Sequence, residues 1–288
     1  MRYAVVTPAR NEAENLGRLA QSVADQTVLP ARWIVVDTGS SDDTPEIVRS
    51  LLADHAELRL VLAPQSGRSE RGAPIVRGFE AGVDALDETV DVVVKVDADV
   101  SFGPDYFERL LAAFAADESL GIASGNAEEF DGTAWRPRRN TGTSVWGAAR
   151  AYRRTCLEAV RPLEQSMGWD GIDELKAHLR GWRTATLAEL PFRHHRPEGA
   201  RDGATWRAWS ARGRAAHYMG YRAWYLAARA GHHARSEPTA LAMIWGYTAA
   251  ALMRRPTCSD PDVRAELRRA QSFRGLRARR REALGAPR

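Results

Sequence analysis

Val92-Val93-Val94-Lys95-Val96-Asp97-Ala98-Asp99, VVVKVDAD, is an apolar run fit for a buried strand that ends in two carboxylates one residue apart. In extended backbone, side chains two apart point the same way, so Asp97 and Asp99 would address one spot at the strand's end. Like charges that close repel. A divalent cation would resolve the repulsion and would also grip a diphosphate through its oxygens. The plainer reading is a pair of turn residues capping a strand.

On both sides of this run, short apolar stretches alternate with helical patterns. Tyr3 to Thr7, Trp33 to Asp37, Leu58 to Ala63, Val90 to Val96 and Gly121 to Ala127 read as strands. Between them, Leu16, Leu19, Ala20 and Val23 follow the spacing of an amphipathic helix, with Asn11 and Glu14 placed as a capping pair. Thr44-Pro45 opens a second helix, Gly72 to Ala85 a third, and Gly103-Pro104 a fourth with Phe107, Leu110, Leu111 and Phe114 on one face. A strand at Val145 to Tyr152 and a helix at Arg154 to Val160 follow a loop rich in Trp, Arg and Gly. This alternation predicts an α/β chain with a mainly parallel sheet covered on both faces. Ligands of such sheets collect beyond the carboxyl ends of the strands. Those ends are Thr7-Pro8-Ala9-Arg10, Asp37-Thr38-Gly39-Ser40 and Asp97-Ala98-Asp99.

The loops VVTPARNE and VVDTGSSDDT, with VVVKVDADV, resemble the nucleotide-binding half of family-2 glycosyltransferases, whose fold is of the GT-A type. The residues that carry the likeness are Pro8, Asn11, Glu12, Asp37, Gly39, Ser40, Asp43, Thr44, Asp97 and Asp99. Thr38 departs from the pattern, since many members carry a second Asp there. The likeness covers roughly residues 1–200, with nucleotide-sugar binding in 1–100, the acceptor side in 101–200, and a helical, basic extension in 201–288.

The resemblance implies that Thr7, Pro8, Ala9, Arg10, Glu12, Asp37 and Gly39 hold the nucleoside. Asp97 would face the ribose and the metal's water shell, Ala98 would contact the nucleotide sugar, and Asp99 would bind Mg2+ or Mn2+ directly. Arg71 and Arg77, in RGAPIVRGFEAG, resemble the family's basic stretch and are candidates for the diphosphate, which suits planar guanidinium. Members often use a histidine as a further metal ligand, which makes His194 and His195 candidates. Adjacent residues of a strand face opposite ways, so only one of the pair readily serves one metal, and the sequence does not choose between them.

Asp170, Asp173 and Glu174 stand at the start of a helix, where its dipole favours anions. Inverting transfer to a hydroxyl needs a base. The family places one about eleven residues before a glycine; counting back from Gly181 gives Asp170, with Asp173 in reserve. Trp169 is a candidate to stack on an acceptor sugar.

The bulk figures fit a globular protein of 288 residues, 44% hydrophobic and 27% charged. The net charge of +4 is uneven: Arg254 to Arg288 holds eleven arginines against four acids. Cys156 and Cys258 form neither a metal spacing nor a disulfide framework, as expected of a reducing cytosol. Neither a signal peptide nor an apolar run of spanning length is read. Beyond RPEGARDG, Trp206 to Ala230, Pro238 to Leu252 and Pro261 to Arg281 read as three helices. Trp245 and Tyr247 beside Arg254 and Arg255 suit a helix lying on an anionic bilayer, and equally a helix packed on the rest of the protein.

The expectation is a metal-dependent, inverting glycosyltransferase that moves a sugar from a nucleotide-sugar donor to a hydroxyl acceptor. It would act in the cytoplasm, at the inner face of the membrane if the acceptor is a lipid-linked glycan, and without nucleic acid. The rival is a Mg2+-dependent phosphatase with Asp97 as aspartyl nucleophile, Ser101 two positions past the acid pair, and Asp170 and Glu174 near the metal. Against it, three strand–helix units precede the acid pair, and the Asn-Glu and Asp-x-Gly-Ser loops go unexplained. A non-catalytic basic adaptor would account for the tail but not for the converging acids.

Overall fold

The computed structural model describes residues 1–63, 72–138, 144–196, 205–273 and 275. In chain order it begins β1 (Tyr3–Ala9), α1 (Ala13–Ala24), β2 (Arg32–Asp37), α2 (Thr44–Leu51), β3 (Leu58–Leu62), α3 (Ala73–Asp84) and β4 (Val92–Val96). There follow β5 (Val100–Phe102), α4 (Tyr106–Ala116), β6 (Leu120–Phe130), β7 (Trp135–Pro137), β8 (Ala149–Arg153) and α5 (Arg154–Val160). Then come α6 (Trp169–Leu179), β9 (Arg183–His194), α7 (Trp206–Tyr218), α8 (Ala223–His233), α9 (Ala242–Leu252) and α10 (Pro261–Ala270). The chain groups into two units: the described residues of Met1–Gln165 with Arg180–Pro197, and those of Ser166–Leu179 with Glu198–Arg288.

The first unit is built on one sheet in the order β3-β2-β1-β4-β8-β6-β9-β5, with β7 beside β6. Its first four strands are parallel, and β8 then pairs antiparallel to β4. Every residue of β4 is buried, Lys95 included, as a near-continuous apolar run demands of a strand covered on both faces. Leu16, Leu19, Ala20 and Val23 on α1 and Phe107, Leu110, Leu111 and Phe114 on α4 enter the core. Helix α3 sits close on the sheet because its contact face is glycine. A Cβ on Gly82 would lie 2.3 Å from Val6 Cγ1, and one on Gly78 would lie 2.9 Å from Thr38 Cγ2.

Asn11 does not cap α1. It takes a left-handed φ of 55° and accepts from the Ser41 amide at 2.8 Å, so its side chain ties the loop after β1 to the loop after β2. The second unit is helical. The helix expected over Trp206 to Ala230 is broken in two, since Gly220 at φ 79° turns the chain between α7 and α8. Pro238–Leu241 is a short 3-10 turn leading into α9. Ile172 of α6 packs with Met219, Cys258, Val263 and Leu267, so the acidic helix belongs to this unit's core.

Candidate active site

Parallel pairing aligns the carboxyl ends of β1, β2 and β4: Ala9 lies opposite Asp37, and Val6 opposite Lys95. The loops singled out in the sequence therefore open on one end of the sheet. Asp37 is buried and accepts from the amide and hydroxyl of Ser40 at 3.1 and 2.5 Å. The DTGS turn is thus folded round its own carboxylate. Thr7 turns inward, its hydroxyl accepting from Trp33 Nε1 at 3.1 Å, while Arg10 is exposed and Pro8 half-buried. Gly39 supplies a left-handed φ of 100° to that turn. Arg77 is half-buried on α3; Arg71 lies outside the described residues.

The strand stops at Val96, so Asp97 to Asp99 form a turn and not the extended run expected. The two acids are met by different cations of the chain itself. Lys95, 1% exposed, reaches Asp97 Oδ1 and donates to the Gly147 carbonyl at 2.7 Å. Asp99 Oδ1 lies 3.5 Å from His194 Nε2, and Asp99 Oδ2 lies 3.5 Å from Arg196 Nη1. Arg196 is held in turn by Glu12, at 3.2 and 2.9 Å.

These contacts set the charges. Burial pushes the Asp97 carboxyl above its ordinary value, with Lys95 pulling the other way. Burial acts likewise on Asp99, but His194 and Arg196 outweigh it and hold that carboxyl below the usual range. Burial disfavours the His194 cation, yet Asp99, with Asp97 and Glu129 behind it, holds its pKa above the ordinary value. His195 faces away: its Nε2 lies 2.8 Å from Ser101 Oγ and its ring meets Trp135 edge-on. Burial, aided by Arg18 and Arg193, pushes His195 down to about 4. The geometry thus brings His194, and not His195, to Asp99. It also gives Ser101, which the phosphatase reading needs, to His195.

Asp170 and Asp173 lie on α6 in the second unit. Asp173 is 1% exposed, whereas Asp170 is half-buried and accepts from the Gly171 amide at 3.0 Å. Trp169 is buried. Three residues of the corner escaped the sequence reading. Lys95 shares the parity of Asp97 and is a charge inside an apolar run, a signal present but not used. Arg196 shares the parity of His194, yet it opens the RPEGARDG stretch that precedes the helical extension. Glu129, 3.7 Å from His194 Nδ1, enters only through the pairing of β6 with β9.

Among the described residues no group of three or more His, Cys, Asp or Glu is arranged as a metal cage. The donor chemistry still fits a divalent cation. Asp99 and His194 offer an oxygen and a nitrogen side by side. Magnesium-like ions at phosphate sites commonly take one or two carboxylates and leave the remaining positions to water and phosphate oxygens.

The sequence model described as Glycosyl transferase family 2 matches residues 4–168. The polyprenol monophosphomannose synthase of Mycolicibacterium smegmatis is 31% identical over 180 residues, 55% of this chain and 64% of that protein, so less than two thirds of its length is spanned. The undecaprenyl-phosphate mannosyltransferase of Micrococcus luteus is 29% identical over 179 residues, 56% of this chain and 70% of that one. A solved mannosyltransferase from Pyrobaculum calidifontis, in complex with GDP-Man and Mn2+, aligns at TM-score 0.56 and 18% identity over 98% of this chain and 84% of that one. At that identity the likeness speaks for the fold, which is of the GT-A type expected.

Proposed function

The chain belongs to glycosyl transferase family 2, and on that premise we propose that it moves a sugar from a nucleotide-sugar donor to a polyprenol-phosphate acceptor, with inversion and with help from Mg2+ or Mn2+. Family membership removes the aspartyl phosphatase alternative. The observation that carries the reading is the Asp99–His194 pair beside the carboxyl ends of β1, β2 and β4.

Asp99 and His194 would hold the cation, which when bound supplies Lewis-acid stabilisation of the leaving diphosphate. The chain's own residues do the rest. Lys95 supplies Asp97 with a counter-charge and fixes its direction. Glu12 holds Arg196 where its guanidinium can share diphosphate charge. Asp37, locked by Ser40, presents a fixed turn to the nucleoside.

A phosphate acceptor arrives largely ionised at neutral pH, its second pKa being about 6, so proton removal matters less than for a hydroxyl. Asp170, more exposed than Asp173, is assigned as base for a hydroxyl acceptor. The test is incubation with radiolabelled GDP-mannose or a UDP-sugar and undecaprenyl phosphate, followed by organic extraction. Label should enter the lipid fraction, in the anomer opposite to that of the donor by NMR. Transfer to water alone would refute the reading. Asp170→Asn separates the acceptors: lipid phosphate glycosylation should persist, whereas a hydroxyl acceptor would lose transfer.

A further inference from the structure

Helix α9 packs in the reverse of the usual sense. It buries Ala242, Met243, Gly246 and Ala250, mostly small residues. A Cβ on Gly246 would lie 2.0 Å from the Ser210 carbonyl oxygen, and one on Gly213 would lie 2.0 Å from that of Met243, so α7 and α9 touch backbone to backbone. The large side chains go outward: Trp245 is 61% exposed, Leu252 85% and Met253 69%, with Leu241 and Ile244 exposed beside them. Tyr247, by contrast, turns in and donates to the Tyr221 carbonyl at 2.8 Å. In water the hydrophobic effect favours burying the large residues and leaving the small ones outside. Small residues at a helix crossing with bulky apolar ones outward is the pattern of helices that meet lipid.

The end of α9 adds charge. Arg254 takes a left-handed φ of 51°, where glycine is the usual residue, and Arg254 and Arg255 amides close on the Ala251 and Ala250 carbonyls at 3.1 and 3.0 Å. A strained position is thus given to an exposed cation, with a second one beside it. No acid occurs within α9. A second copy of this face would offer the arginines no counter-charge, whereas anionic headgroups would.

We infer that the outward face of α9 docks on an anionic phospholipid bilayer, with Trp245 and Leu252 among the acyl chains and Arg254 and Arg255 at the headgroups. No described helix is long and apolar enough to cross a membrane, so α9 lies in the interface. The inference deepens the lipid-acceptor reading but rests on this face alone.

The test is flotation of the full chain with vesicles of phosphatidylcholine, alone or with about one third phosphatidylglycerol. The protein should float with the anionic vesicles. Trp245→Ser with Leu252→Ser should abolish flotation while leaving the melting curve and nucleotide binding unchanged. Arg254→Gln with Arg255→Gln should weaken vesicle affinity by roughly tenfold or more. Failure of the wild-type protein to float, or equal flotation of the serine variant, would overturn the inference. So would a dimer in light scattering that the serine variant converts to monomer. Because flotation needs no donor, loss of the sugar-transfer reading would leave this result standing, and the reverse also holds.

Discussion

Glu12 and Arg196, 184 positions apart, are joined by two hydrogen bonds of 3.2 and 2.9 Å, and the same guanidinium lies 3.5 Å from Asp99. One arginine after β9 therefore ties the loop after β1 to the acidic turn after β4. Glu12 is 7% exposed. Removing its partner leaves a mostly buried carboxylate under-satisfied, a loss of roughly 1–3 kcal/mol. Arg196→Ala should lower the urea midpoint accordingly, and Arg196→Lys should recover only part, since an ammonium cannot make the two-pronged contact. Full recovery by lysine would show that charge alone matters there.

Lys95 and Asp97 form a second pair, with the lysine side chain 2% exposed. Lys95→Met should destabilise by roughly 1–3 kcal/mol, because it removes both the cation facing the part-exposed Asp97 and the donor to the Gly147 carbonyl. Adding Asp97→Asn should restore part of that stability. A double-mutant cycle in urea reads the coupling; two losses that simply add would mean the pair does not interact.

Much of this corner could be read from the sequence because it is local. The apolar run to Val96 with Asp97 and Asp99, the DTGS turn and the Asn-Glu loop are all set by spacing within a few residues. What the sequence obscured depends on pairing at long range: Glu129 faces His194 only because β6 and β9 lie in parallel register. The antiparallel pairing of β5 with β9, which sets Val100 opposite His194, gives His194 to Asp99 and sends His195 to Ser101, a choice that parity alone could not make. Asn11 read as a cap because caps favour Asn, but its left-handed backbone gives its oxygen to the Ser41 amide. Gly220 is visible in the sequence, yet glycine within a helical pattern is often tolerated, so it does not by itself mark the break between α7 and α8.

Gly82 tests how tightly α3 is set on the sheet. A methyl there would meet Val6 Cγ1 at 2.3 Å and Val36 Cγ2 at 3.0 Å. Gly82→Ala should cost about 1–3 kcal/mol through overpacking, despite the better helix propensity of alanine. A melting temperature at or above that of the parent would contradict the packing described.

Acid sensitivity has an identifiable contributor far from the site. Ser119, and then Arg183, hold the Asp117 carboxyl down to about 2 from an ordinary 3.8. A depressed acid stabilises the fold above its unfolded pKa, and that stabilisation fades as pH falls through the folded value. Asp117→Asn should therefore lower stability at neutral pH and flatten its decline between pH 4 and 2, as read by denaturant midpoints across that range. An unchanged acid limb would remove Asp117 from the account.

The most direct measurement is calorimetric titration of GDP and UDP into the wild-type protein and Asp99→Asn, each with and without Mn2+. One diphosphate should bind tightly only when Mn2+ is present, and Asp99→Asn should lose at least roughly tenfold of that affinity. Equal affinity with and without the ion, or an Asp99→Asn titration that matches wild type, would contradict the assignment of the Asp99–His194 corner to the donor's diphosphate.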